Sequence, residues 1–352
     1  LTANREHPGI HETYRLPLAP IVGGELERLT VLGGESTSVL SPDGKRLLVL
    51  HSSPTDPPEL SVQDARPGAQ AQRLTETSSP EFRAIRWAPP EVVEVPSTHG
   101  APRPIYSRVY VPEGWRADRP GGWPAVVFVH GAGYLQNVHF GWSSYFREFM
   151  FHSLLTRQGY VVLDMDFRAS SGYGRDWRAA IYRRMGEPEV EDLADGVAWL
   201  AANRGVDPKR VGVYGGSYGG FLTFMSLFRE PDLFACGAAL RPVSDWAHYN
   251  HGYTSNILNT PEIDPEAFRK SSPIEYAEGL SKPLLIAHGM VDDNVVFQDS
   301  VRLVQRLIEL GKQDFETAIY PVEPHSFREP ASWLDEYRRI FKLFEGCLAP
   351  GR

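Results

Sequence analysis

Ser217 stands in the run Val211–Gly220 (VGVYGGSYGG), a Gly-x-Ser-x-Gly pattern. A strand-like apolar stretch precedes it and a helix-like one follows. That context predicts a sharp strand-to-helix turn that lifts the serine hydroxyl clear of a sheet. Gly215 and Gly219 leave room for the bend. The Tyr218 N–H lies at a helix N-terminus, where it suits a developing oxyanion. A serine hydroxyl is a poor nucleophile at neutral pH and needs a base, itself oriented by a carboxylate. On such a turn the partners follow in the order Ser, Asp, His, each just after a strand. Pro283–Ala287 leads into His288-Gly-Met-Val-Asp-Asp-Asn-Val295, and Phe315–Tyr320 into Pro321-Val-Glu-Pro-His325. Asp292 and His325 are the candidates, with Asp293 an alternative that spacing alone leaves open. The chemistry is acyl transfer through an acyl-enzyme. After the strand-like Ala125–Val129, the Gly-rich loop His130-Gly131-Ala132-Gly133-Tyr134 lets the backbone approach closely and suits a second oxyanion donor.

Strand patterns at Arg108–Val111, Ala125–Val129, Tyr160–Asp164, Arg210–Tyr214, Phe234–Leu240, Pro283–Ala287 and Phe315–Tyr320 alternate with helix patterns. Glu189–Asn203 has one apolar face and ends at Gly205, and Phe221–Phe228 begins a buried helix. Asp299 or Ser300 can cap a helix that turns Val301, Val304, Leu307 and Ile308 to one side. The last helix carries Leu334, Tyr337, Ile340, Phe344 and Cys347 on one stripe. The alternation implies a mainly parallel sheet covered on both faces, and with the serine turn above the expectation is an α/β-hydrolase fold over residues 93–352.

Residues 1–92 differ. Short strands are broken by turns such as Ser41-Pro42-Asp43-Gly44. Tyr14-Arg-Leu-Pro-Leu18 leads to Arg28-Leu29-Thr30, and Leu60-Ser-Val-Gln-Asp64 leads to Arg73-Leu74-Thr75, the two Arg-Leu-Thr runs lying 45 positions apart. That is about the length of one four-stranded propeller blade. The expectation is the last one to two blades of a β-propeller, with the remainder upstream of Leu1, since a closed ring needs at least ~4 blades.

Composition narrows the function classes. The 352 residues carry 36 Lys and Arg against 44 Asp and Glu, a net charge of −8, which offers no footprint for nucleic acid or anionic membrane. No apolar run approaches a membrane span. Two cysteines, Cys236 and Cys347, are too few for a common four-ligand zinc site and enough for one disulfide. His248-x-x-His251 has no acidic third ligand standing out nearby, so no metal is expected, and nothing in the sequence implies an organic cofactor. Arg241, between Leu240 and Pro242, is expected to be buried against a carboxylate.

Gly-Gly-Ser-Tyr-Gly-Gly around Ser217, His-Gly-x-x-Asp-Asp-Asn-Val around Asp292, and Pro242-Val-Ser-x-Trp246 together resemble the prolyl oligopeptidase family of serine peptidases, nearest its dipeptidyl peptidase IV branch. The resemblance runs from about Val93 to Leu348. It implies that Asp292, not Asp293, is the catalytic carboxylate, and that Asn294 holds a substrate carbonyl. It implies that Val243, Trp246, Tyr249, Tyr253 and Val295 wall a small apolar pocket for a proline. Such enzymes often use a Tyr hydroxyl in the oxyanion hole, but His130 stands at that position, so the donor is His130, the Gly131 backbone or Tyr134. The family's amine-gripping glutamates find no match in residues 1–92. A Cys236–Cys347 disulfide is implied, and with it an exported, periplasmic or secreted protein in preference to a cytoplasmic one. Family members often dimerise. The implied activity is release of di- or tripeptides from short peptide substrates with Pro or Ala at P1. Acylaminoacyl peptidase and carboxylesterase are the enzymatic alternatives, and a non-catalytic binding protein the alternative of another class.

Overall fold

The computed structural model describes residues 1–16 and 25–349. Pro17 and Leu18 of the first repeat lie outside the described residues. The chain forms two compact units. One comprises Leu1–Pro90 with Asn137–Ser153, the other Glu91–Gln136 with Leu154–Arg352.

The first unit holds two antiparallel sheets. Strands β1 (Thr2–Ala3), β2 (Glu12–Arg15) and β3 (Glu27–Arg28) form one, and β4 (Glu35–Leu40), β5 (Arg46–Ser52), β6 (Glu59–Asp64) and β7 (Gln72–Arg73) the other. The repeated Arg-Leu-Thr runs do the same work in each. Thr13 N–H donates to Thr30 Oγ1 and Leu60 N–H to Thr75 Oγ1, both at 2.9 Å. Arg28 Nε reaches the Thr30 carbonyl at 3.0 Å, and Arg73 Nε the Thr75 carbonyl at 2.8 Å. A buried glutamate closes each set: Glu12 accepts from Thr30 and the Leu32 and Gly33 N–H groups, Glu59 from Thr75 and Thr77. Thus β1-β2-β3 corresponds to the last three strands of the four-stranded sheet. Phe82, on a short helix α1 (Pro80–Ala84), and Trp87 meet Trp142 and Phe149 in an aromatic cluster, which ties Asn137–Ser153 into this unit.

The second unit is built on one eight-stranded sheet. Its strands are β8 (Glu91–Val95), β9 (Ile105–Tyr110), β10 (Trp123–Val129), β11 (Val161–Met165), β12 (Val206–Gly216), β13 (Cys236–Leu240), β14 (Leu284–Gly289) and β15 (Phe315–Tyr320), in the order β15-β14-β13-β12-β10-β11-β9-β8. The six strands from β15 to β11 run parallel, β9 pairs antiparallel with β11, and β8 pairs antiparallel with β9. The reason is visible in β10 and β11, which are buried along their whole length and can only lie inside a sheet covered on both faces. The helices are α2 (Phe146–Arg157, which begins in the first unit), α3 (Arg175–Arg178), α4 (Pro188–Arg204), α5 (Tyr218–Arg229), α6 (His251–Leu258), α7 (Pro265–Ser271), α8 (Gln298–Glu309) and α9 (Pro330–Leu348). Helix α4 stops at Gly205, which takes the left-handed φ of 62°.

One helix has no counterpart in the sequence expectations, and two others depart from theirs. Helix α2 buries Glu148, His152, Ser153 and Thr156 among its apolar residues, so no clean apolar stripe announces it. In α8, Val301 and Ile308 face solvent, and the buried side carries Leu303, Leu307, Asp299 and Ser300. The helix starts at Gln298, so Asp299 and Ser300 are not its cap. In α9, Leu334 is exposed and the buried face is Trp333, Glu336, Ile340, Phe344 and Leu348. Glu336 is the partner of buried Arg241, at 3.5 Å.

Candidate active site

The chain passes from β10 to β11 on one side and returns to β12 on the other, so the connections leaving β10 and β12 diverge at their carboxyl ends. Such a switch point opens a crevice in a parallel sheet. Val129 pairs with Gly215 there. A Cβ on Gly215 would come within 2.3 Å of the Val129 carbonyl oxygen, and one on Gly219 within 2.0 Å, so only glycine lets the start of α5 press against β10. Between them Ser217 takes φ 58° and ψ −115°, a strained conformation for a non-glycine residue, held by its N–H bonding the Leu240 carbonyl at 2.8 Å.

The loops after β14 and β15 bring up the partners. Gly289 packs against the Glu323 carbonyl, where a Cβ would approach to 2.1 Å, and Met290 N–H bonds the Tyr320 carbonyl at 2.9 Å. Buried Glu323 accepts from the Arg328 and Glu329 N–H groups at 2.6 and 3.2 Å, which folds the segment carrying His325 back on itself. His325 Nε2 then lies 3.0 Å from Ser217 Oγ, and Nδ1 lies 2.8 Å from Asp292 Oδ2. Since a carboxylate only accepts, Nδ1 carries the proton and Nε2 is left to accept from the serine hydroxyl.

Asp292 is buried and Asp293 exposed, which separates the two carboxylates that spacing left open. Oδ1 of Asp292 accepts from the Asn294 and Val295 N–H groups at 2.9 and 3.0 Å, and Oδ2 from His325 and from His288 Nε2 at 3.2 Å. Burial alone would raise its pKa, but the bonds from His288, His325 and the backbone hold it well below the ordinary carboxylate range. His288 is itself fixed: Nε2 also faces the Val295 carbonyl at 2.9 Å and Nδ1 faces Ser300 Oγ at 2.8 Å. Ser300 therefore steadies the carboxylate through His288, a role its reading as a helix cap concealed.

Beside Ser217 lies a continuous aromatic wall. Trp246 stacks with Tyr253 at 5.9 Å between centroids, and Tyr249 meets both edge-on at 5.3 and 5.7 Å. The Tyr218 ring joins Trp246 at 5.7 Å, and Val243 and Val295 are buried nearby in the same core. Asn294 Oδ1 accepts from the Tyr249 hydroxyl at 2.7 Å, which leaves its amide NH2 as the donor.

The loop after β10 differs from one expectation. The His130 side chain is turned away into the core and cannot serve as an oxyanion donor. Nδ1 faces the Gly131 carbonyl and Nε2 faces Ser170 Oγ, both at 2.9 Å, Asp166 lies 3.4 Å away, and the ring stacks on Phe167. Two positive-φ residues follow, Ala132 at 62° and Gly133 at 64°. A Cβ on Gly133 would lie 2.9 Å from the Tyr253 hydroxyl and 3.1 Å from the Tyr218 ring. Tyr134 packs against Tyr253 and lies under the Arg178 guanidinium. Cys236, at the start of β13, and Cys347, in the last turn of α9, form a disulfide with Cα atoms 6.4 Å apart. A groove of about 450 Å³ at the opposite, amino ends of β14 and β15, lined by Leu284, Phe315 and Arg339, contains no candidate residue except Cys347.

A parallel sheet with a serine elbow at its switch point, met by histidine and aspartate from later strand ends, defines the α/β-hydrolase class. Residues 146–351 match the model of the prolyl oligopeptidase family, and the chain belongs to that family. It is similar to dipeptidyl peptidase 8 of Mus musculus, 34% identical over 252 residues, covering 70% of this chain and 27% of that protein. Dipeptidyl peptidase 4 of Sus scrofa is 29% identical over 313 residues, covering 87% of this chain and 38% of that protein. The crystal structure of Porphyromonas gingivalis dipeptidyl peptidase 4 superposes with a TM-score of 0.87 at 26% identity, over 99% of this chain and 48% of that one. The chain thus spans under half the length of these relatives. Among the described residues no helix is long and apolar enough to cross a membrane.

Proposed function

We propose that this chain carries the catalytic centre of a serine peptidase that removes dipeptides, or tripeptides, from the amino ends of short peptides, with Pro or Ala preferred at P1. One observation carries the reading: the hydrogen-bonded series Ser217–His325–Asp292 at a strained strand-to-helix turn. His325 Nε2 takes the Ser217 proton as Oγ bonds to the substrate carbonyl carbon. The resulting oxyanion is held by the Tyr218 N–H and by the backbone of the Gly131–Tyr134 loop. As the C–N bond breaks, His325 returns the proton to the leaving amine, and water then releases the acyl group by the same path. Asp292 keeps the imidazole in the tautomer that can accept and stabilises its cation. The P1 ring fits against Val243, Trp246, Tyr249, Tyr253 and Val295, while Asn294 donates to a substrate carbonyl. The substrate class is supported by the dipeptidyl peptidase relatives. We also propose an exported location, supported by the disulfide, since such bonds persist in oxidising compartments. Self-association into a dimer rests on the family resemblance alone.

The test is labelling by a fluorophosphonate together with turnover of Ala-Pro amides, acylated amino-acid amides and short-chain esters. The expected result is an adduct on Ser217, preference for the free-amine Ala-Pro amide, and loss of both adduct and turnover in Ser217→Ala with an unchanged circular dichroism spectrum. Undiminished turnover in that variant would refute the mechanism. Preference for acylated amides or esters would reassign the substrate.

A further inference from the structure

Glu189 is the second residue of α4, where an acidic side chain ordinarily faces solvent and complements the helix N-terminus. Here it is fully buried. Its Oε1 lies 2.5 Å from the Tyr218 hydroxyl, and its Oε2 accepts from the Gly186 N–H at 2.8 Å. Gly186 is itself wedged against α5: at φ 85°, a Cβ there would meet Met225 at 2.7 Å and Phe221 at 2.8 Å. The carboxyl is therefore held rigidly from behind and presents one oxygen to Tyr218.

Tyr218 occupies a pivotal place. Its backbone N–H adjoins the nucleophile. Its ring stacks on Phe167, meets Phe221 edge-on at 5.0 Å, joins the aromatic wall through Trp246, and closes against the Gly133 backbone on the other side. The ring thus divides the loop after β10 from the pocket wall. A tyrosine packed among aromatic faces has one directional constraint, its hydroxyl, and here Glu189 supplies it.

We propose that Glu189 is a positioning residue for P1 selection, gripping the Tyr218 hydroxyl so that the Tyr218 ring keeps the pocket small enough to favour Pro or Ala over a larger side chain. This rests on the peptidase reading above and deepens it. A pH signature accompanies the geometry. Burial pushes the Glu189 carboxyl up to about 8, opposed by the bonds from Tyr218 and Gly186 and reinforced by Asp192 on the same helix. The other groups that face this centre are Tyr134 from the loop after β10, Tyr253 from α6, Arg178 from α3, which faces those two tyrosines, and Arg168, which pairs with Asp192. Above about pH 8 the acid gains a negative charge in a water-excluded place close to where the oxyanion forms, which opposes the developing charge.

The experiment uses the intact protein that contains this chain, with diphenyl phosphonate esters of Ala-Pro and Ala-Leu. Ser217 Oγ bonds to phosphorus, phenoxide leaves, and the serine proton passes to His325, so the inactivation rate reads P1 fit directly. Wild type is expected to react faster with the proline probe. Glu189→Gln and Tyr218→Phe are expected to narrow that ratio by about tenfold, the scale of a changed fit in an apolar pocket, while in Glu189→Gln a small fluorophosphonate still labels Ser217. Wild type is expected to lose reaction rate above about pH 8, and Glu189→Gln to abolish that fall. Wild-type ratios and alkaline profiles in both variants would overturn the inference and leave the peptidase reading standing. A wild type labelled by fluorophosphonate but by neither peptide probe would overturn the peptidase reading and this inference with it. If Glu189→Gln does not fold, Tyr218→Phe alone decides, and an unchanged ratio in it counts against the proposal.

Discussion

Asp292 is a carboxylate with four donors on two oxygens, a saturation that suits the orienting role proposed for it. Under the proposed mechanism Asp292→Asn preserves the shape but can present an N–H to His325, favouring the wrong tautomer. The expected loss is about 10⁴-fold in kcat with little change in KM, the scale seen when this member of a triad is amidated, measured by steady-state kinetics on Ala-Pro amides. Linkage gives a second consequence. The folded-state pKa of Asp292 is depressed, so its contribution to stability is complete above the unfolded value of about 3.9 and is lost as pH falls from there through the folded value. Asp292→Asn should accordingly flatten the acid limb of stability below about pH 4, read by denaturant titration. At this scale the candidate triad was legible, because residue type, chain order and placement after strands are written along the chain. Spacing left Asp292 and Asp293 open and the family motif favoured Asp292, the one of the two that is buried; the direction of the His130 ring was not legible, because it turns on Ser170 and Phe167.

The strand pair closed by an Arg-Leu-Thr run and a buried glutamate is the clearest element-scale device in the molecule. In the four-stranded sheet the bond from Thr75, with those from Thr77 and the nearby Arg73, lowers the Glu59 pKa to about 2. Its stabilising contribution is therefore present above the unfolded value of about 4.3 and disappears as pH falls toward about 2. Glu59→Gln is expected to remove this acid sensitivity from β6 and β7 while leaving β1-β2-β3 unchanged. Hydrogen exchange at Leu60 and Leu74 between pH 5 and pH 2 would check it, and identical acid lability in the variant would contradict it. The echo was legible as two tripeptides, whereas the paired glutamates were hidden because they sit at different offsets, 47 positions apart rather than 45. Most strands of the eight-stranded sheet were legible as apolar runs. The buried face of α8 was misread because Asp299 and Ser300 face inward: Asp299 takes the Ser244 N–H at 2.7 Å and Ser300 supports His288. Polar residues buried for their hydrogen bonds defeat a hydrophobic pattern.

For the whole molecule, the Cys236–Cys347 bond joins positions 111 residues apart, tying β13 to the last turn of α9. In the chain-entropy model a loop of that size restricts the unfolded ensemble by up to about 5 kcal/mol. The Cys236→Ser, Cys347→Ser double variant is expected to lose stability on that scale in guanidinium unfolding while keeping fluorophosphonate labelling of Ser217 at low temperature, because neither sulfur lies near the switch point. Equal midpoints for the oxidised wild type and the variant would contradict the expectation.

Residue types, their order and their short-range periodicities are properties of the chain itself. They sufficed to nominate the candidate triad, the parallel sheet beneath it and the repeated strand pair, while the aromatic wall entered only through the family resemblance. What an ionisable or polar side chain does once packed is a property of its surroundings. That Glu189 lies buried under Tyr218, that His130 faces inward, that Ser300 holds His288 and that Asn137–Ser153 joins the N-terminal strands were decided only in three dimensions. Desolvation and hydrogen bonding act between groups brought together by the fold, many of them far apart in the chain, and no local pattern encodes their sum.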